Sequence, residues 1–145
     1  MFTNGIDVAV LVETWLHWFI HDDSVHIPVY SAFRKDRADG RSGGGILVYV
    51  IVREGVPCQA QPQLYISDIE VVWLLYRRPL MPREISHILI GAVYHPPKAD
   101  NRLMLDHLIS SMDTISNFLG NTLRQVSYCL VILTSSLRVS CVPTL

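Results

Sequence analysis

The sequence predicts an α/β fold, and three observations carry that reading. Apolar, β-branched runs recur five times along the 145 residues, with the Gly-, Pro- and Arg-containing spacing that separates strands. One stretch, Asn101–Leu119, abandons that pattern for apolar residues at helical spacing. Hydrophobic residues make up 50% of the chain and charged residues 17%, enough for one domain with a core and unlike a disordered composition.

The elements follow in order. Asp7–Val12 (DVAVLV) has the near-continuous apolar character of a strand covered on both faces, and it ends at Glu13-Thr14-Trp15. Ile46–Val52 (ILVYVIV) is a second such run. The Gly43-Gly44-Gly45 that precedes it lacks the lysine and spacing of a nucleotide-binding loop, so it reads as a tight turn into the strand. Ile69–Tyr76 (IEVVWLLY) is a third strand, and Ile88–Tyr94 (ILIGAVY) a fourth, stopped by Pro96-Pro97. In the helix, Leu105, Leu108, Ile109, Met112, Ile115 and Leu119 share one face, while Asp106, Ser110, Asp113 and Asn117 lie mostly opposite. Asp100 or Asn101 suits its N-cap, and Gly120 its stop. Val126–Thr134 (VSYCLVILT) is the fifth strand. Four strands, a helix and another strand imply a sheet covered by helices, not an antiparallel sandwich with one wet face.

Composition removes several classes. Mean hydropathy is +0.29, yet no apolar run approaches the ~18–20 residues of a membrane span. Twelve Lys and Arg against thirteen Asp and Glu leave a formal charge of −1, so bulk charge is silent on nucleic acid. Cys58, Cys129 and Cys141 form no CxxC pair and fit buried thiols in a reducing compartment. No basic stretch followed by an apolar one opens the chain, so no secretory signal is visible. His17 and His21 stand four apart without a third ligand fixed by spacing, which argues against zinc. No GxSxG elbow supports a serine hydrolase.

Two positions and two loops can carry chemistry. Glu13 follows a buried strand directly, where a carboxylate can meet a metal or substrate, or simply begin a loop. Tyr94 closes another strand ahead of His95-Pro96-Pro97; its phenol can donate to a phosphate oxygen or cap the core with its hydroxyl in water. Arg34–Gly45 holds Arg34, Arg37 and Arg41, and Arg77–Glu84 holds Arg77 and Arg78; these loops can track a phosphate backbone or be solvated hairpin ends.

Taken together, DVAVLVETWL, VYSAFRKDRADGRSGGGILVYV and ILIGAVYHPPKADNRLMLDHLISSMDTI resemble the endonuclease/exonuclease/phosphatase superfamily. More narrowly, they resemble the endonuclease domain of non-LTR (LINE-like) retrotransposon polyproteins. The resemblance runs from Asp7 to Thr134 and implies a four-layer α/β sandwich of the DNase I-like type, two packed sheets flanked by helices. It implies an incomplete copy lacking the first strand and the C-terminal half, with residues 1–134 as the partial domain and 135–145 as a non-matching tail. Glu13 matches the family's Mg²⁺-binding glutamate in its ETW block, and Tyr94 the tyrosine of its YxPP block that contacts the scissile phosphate. Complete relatives act on DNA and are nuclear; Arg34, Arg37, Arg41, Arg77, Arg78 and His95 are then candidate nucleic-acid contacts.

The sequence departs from that pattern at three places. Asn4 lies too close to Asp7 to be the family's upstream Asn. Ser135-Ser136-Leu137-Arg138 stands where the family has Gly-Asp-Phe-Asn. The Ser-Asp-His block is missing, since Asp113 is the last acidic residue and His107 the last histidine. The expectation is a chain that holds Mg²⁺ weakly, does not nick DNA as it stands, and self-associates through uncovered sheet faces. The alternatives are a catalytically inactive remnant that binds nucleic acid, or a phosphatase or exonuclease of the same superfamily.

Overall fold

A computed structural model describes residues 7–37, 42–52, 58–66, 69–77, 87–120, 126–133 and 140–141. Its strands are β1 (Val8–Val12), β2 (Tyr30–Lys35), β3 (Ile46–Ile51), β4 (Cys58–Ala60), β5 (Glu70–Tyr76), β6 (His87–Tyr94), β7 (Val126–Leu133) and β8 (Ser140–Cys141). The helix α1 spans Asn101–Gly120 and joins β6 to β7. Two four-stranded sheets result, ordered β2-β3-β1-β8 and β4-β5-β6-β7. Every pairing is antiparallel except β6 with β7, the pair connected by α1.

The period-two alternation of side chains explains why the sheets pack. Val8, Val10 and Val12 of β1 and Ile46, Val48 and Val50 of β3 face one way. They meet Val72, Leu74 and Tyr76 of β5 and Ile90, Ala92 and Tyr94 of β6. The other face of the second sheet, with Val71, Trp73, Leu89 and Val93, is covered by Met104, Leu108 and Ile115 of α1. Trp73 lies across the strand from Gly91, whose missing side chain leaves room for the indole ring.

Two expectations are corrected here. The apolar runs do not form one sheet covered by helices; they divide between two sheets that cover one another, with a helix on one outer face. A run buried on both faces carries the same signal whichever element covers it. The helix is also rotated from the expected face. Leu105 and Ile109 point outward, whereas Met104, His107, Leu108, Ser111 and Ile115 are buried. The indole N–H of Trp73 needs an acceptor beneath the helix, and His107 Nε2 supplies it at 3.4 Å, with the Ser111 hydroxyl also 3.4 Å from that nitrogen. Among the described residues the layers are two sheets and one helix; the fourth layer of the expected sandwich is not among them. Of residues 135–145, Ser140 and Cys141 are described, and they pair with Val10 and Ala9 at the edge of β1.

Candidate active site

Glu13 and Tyr94 lie 81 residues apart in sequence, and the fold makes them hydrogen-bond partners: the Tyr94 hydroxyl donates to Glu13 Oε1. They end strands of different sheets, β1 and β6. The site therefore sits at the mouth between the sheets, where both strands run out.

The backbone at Glu13 is strained into position. Glu13 (φ 55°) and Trp15 (φ 56°) adopt the left-handed conformation that non-glycine residues rarely take. Such strain persists only where surrounding bonds enforce it. The glycine turn provides them: Gly44 N–H donates to Glu13 Oε2 at 2.8 Å, and Trp15 N–H donates to Gly44 O at 3.0 Å. All three glycines have positive φ, between 78° and 89°. A side chain at Gly44 would meet the Arg37 guanidinium at 2.6 Å, and one at Gly45 would meet Thr14 Oγ1 at 2.5 Å. The turn expected from sequence thus also serves as a pair of amide donors.

The second amide reaches a residue that sequence reasoning missed. Gly45 N–H donates to Glu70 Oε2 at 2.5 Å, while Arg37 Nε donates to Glu70 Oε1 at 2.6 Å. Glu70 opens β5 directly across from Tyr94. The Arg37 and Glu70 side chains are only 14% and 13% exposed, so the ion pair is largely desolvated and bound to its geometry. A signal for Glu70 was present. It shares parity with Val72, Leu74 and Tyr76, so a carboxylate there points between the sheets and needs a partner.

The electrostatics separate the roles of the two bonded groups. The Tyr94 hydroxyl, followed by the Gly44 amide, holds the Glu13 carboxyl below its usual range against the opposing effect of burial, and Arg37 adds to the lowering. Burial, followed by the bond to Glu13 and that carboxylate's charge, pushes the Tyr94 phenol up to about 12. At neutral pH Glu13 is an anion and Tyr94 a neutral donor. The arrangement can present a carboxylate to a cation and a hydroxyl to an oxyanion, and it offers no base at Tyr94.

The basic residues divide. Arg34 bridges Asp22 and Asp36, each at 3.1 Å, and Arg37 is held by Glu70. Arg77 is exposed beyond the end of β5, and Arg41 and Arg78 lie outside the described residues. His95 follows Tyr94 and contacts Asn101 Oδ1 at 2.6 Å. His17 stacks on Phe19, and His21 Nδ1 accepts from the Asp23 amide at 3.4 Å. Among the described residues no group of three or more His, Cys, Asp or Glu could hold a metal ion.

The chain matches no protein-family model and no curated protein. Among solved structures it is similar to the endonuclease domain of TRAS1, a telomere-specific non-LTR retrotransposon, at 14% identity and a TM-score of 0.40. The match covers 74% of this chain and 41% of that one, so the chain spans about two-fifths of the structure it matches.

Proposed function

We propose that Glu13, Tyr94 and the glycine turn form part of a Mg²⁺-dependent phosphodiesterase site of the retrotransposon-endonuclease kind, with DNA as its substrate class. The observation that carries this reading is the bond between Tyr94 and Glu13, two strand-end residues brought together from separate sheets. Glu13 fits a weak Mg²⁺ site: its carboxylate is ionised and partly exposed. Magnesium commonly takes one or two carboxylates and completes its shell with water and phosphate, so a single carboxylate suffices for a weak site. When bound, the ion supplies charge stabilisation to phosphoryl oxygens.

The protein's own groups do the rest. Tyr94 has one proton to donate, and in the resting site Glu13 accepts it. The hydroxyl turns to a phosphate oxygen only when Glu13 takes another partner, so occupancy of the carboxylate and donation to phosphate are linked. The Gly44 amide keeps Glu13 in place through that exchange. No carboxylate or imidazole follows Asp113 in the sequence to serve as a base from the second half of such a site.

Nicking of supercoiled plasmid in Mg²⁺ tests the reading. The expected result is no nicking by this chain alone, and nicking by a chimaera that joins it to the first strand and the Gly-Asp-Phe-Asn and Ser-Asp-His blocks of a retrotransposon endonuclease. Glu13→Gln then abolishes the restored activity. A chimaera whose Gln variant nicks as fast as its parent contradicts the assignment of Glu13.

A further inference from the structure

Beside Tyr94, a cleft of about 300 Å³ opens between the end of β6 and the start of α1. Glu13 does not line it, whereas Tyr94 and Arg37 do, so it adjoins the site without belonging to the carboxylate side. Its size stands at the lower end of the ~300–1,000 Å³ range in which small ligands are enclosed. A volume of that order suits one nucleotide.

The lining has two characters. Ile69, Leu103 and Met104 form an apolar surface, and Arg37, His95 and Lys98 face it with nitrogen donors. Two carboxylates also line the cleft, and both are already taken. Glu70 accepts from Arg37 and Gly45, and Asp100 accepts from the Arg102 and Leu103 amides at 2.8 and 3.4 Å as the helix cap. Lys98 therefore faces the cleft with no carboxylate partner among the described residues. Arg37 spends its Nε on Glu70 and keeps further guanidinium N–H groups.

We propose that this cleft holds a single nucleotide, the one flanking the phosphate at Tyr94, with its phosphate on Lys98 and Arg37 and its base or sugar against Leu103 and Met104. The proposal rests on the phosphodiesterase reading for the kind of ligand, and it adds a nucleotide subsite that the Glu13–Tyr94 pair alone does not imply. An anion-only site needs no apolar wall, and an apolar pocket needs no unpaired lysine. A nucleotide uses both.

The test is an isothermal or NMR titration of the full chain with thymidine 5′-monophosphate, thymidine and inorganic phosphate. The nucleotide is expected to bind about ten-fold more tightly than either fragment. Lys98→Ala and Leu103→Glu alter exposed positions, so the fold survives them, and each should weaken nucleotide binding about five-fold or more. Asp106→Asn, exposed on α1 and outside the lining of the cleft, should leave it unchanged. Phosphate binding as tight as the nucleotide, indifference to Lys98→Ala, or an equal loss in Asp106→Asn overturns the subsite. Mn²⁺ titration of the same samples reads the carboxylate side separately. Failure of the unsubstituted chain to bind Mn²⁺ at Glu13, with nucleotide binding intact, counts against the phosphodiesterase reading and leaves the subsite standing.

Discussion

Replacing Gly44 by alanine tests whether the glycine turn is the support of the site. A Cβ at position 44 would lie 2.6 Å from the Cζ and Nη2 atoms of Arg37, well inside ordinary contact, and the residue would have to keep φ near +78°. The left-handed conformation costs about 1 kcal/mol for a residue with a side chain. Moving the guanidinium off Glu70 loosens a charge-assisted bond between two largely buried side chains, about 2 kcal/mol. The sum is about 3 kcal/mol, or a fall of about 10 °C in Tm for a chain of this length. Urea unfolding of Gly44→Ala, Arg37→Ala and the double variant separates the two parts. Removing the guanidinium removes the clash, so the double variant should be more stable than the sum of the singles by more than about 1 kcal/mol. Strict additivity would refute the steric argument, and a neutral Gly44→Ala would refute both parts.

The remaining predictions concern protons and packing. Tyr94 is raised from 10 to about 12 in the folded protein, so its contribution is fully present below pH 10 and is lost as pH rises through about 12. Tyr94→Phe should flatten that part of the alkaline limb in pH-dependent urea midpoints, and an unchanged limb would deny the burial and the bond. The same variant also removes the first cause of Glu13's lowered value, so the stability lost as pH falls below 4.5 should shrink. Burial lowers His107 below its ordinary 6.5, so its contribution is present above that pH and fades as pH falls. His107→Gln keeps an acceptor for Trp73 and should remove that acid sensitivity; equal sensitivity in both proteins would place the imidazole outside the core. Gly91→Ala drives a methyl into the Trp73 ring and should cost about 2 kcal/mol by urea unfolding, whereas a neutral result would mean that the indole does not lie over Gly91.

The strands legible in the sequence are those buried on both faces. β2 escaped notice because YSAFRK is only partly buried along its length, and its arginine and lysine read as loop charge. β4 is three residues long, too short for any periodicity to register. The helix was visible, but its rotation was not, because an apolar count cannot foresee that a tryptophan N–H will draw a histidine and a serine into the core. At the site, Glu13 and Tyr94 were legible through the resemblance of their flanking blocks. Glu70 went unread although its parity with Val72, Leu74 and Tyr76 marks it as inward-facing, because a lone carboxylate near the end of an apolar run is easily taken as solvated. The amides of Gly44 and Gly45 were invisible for a simpler reason: a search for chemistry among side chains passes over donors that belong to the backbone.

Whether Glu13 and Tyr94 form one metal- and phosphate-facing site is tested most directly by paramagnetic broadening, with Mn²⁺ as the probe for Mg²⁺ and ring-labelled tyrosine as the reporter. Sub-stoichiometric Mn²⁺ should broaden the Tyr94 ring signal, assigned by its loss in Tyr94→Phe, before the signals of Tyr49 and Tyr65; excess Mg²⁺ should reverse the effect and Glu13→Gln should abolish it. Broadening that spares Tyr94, or that persists undiminished in Glu13→Gln, would contradict the account.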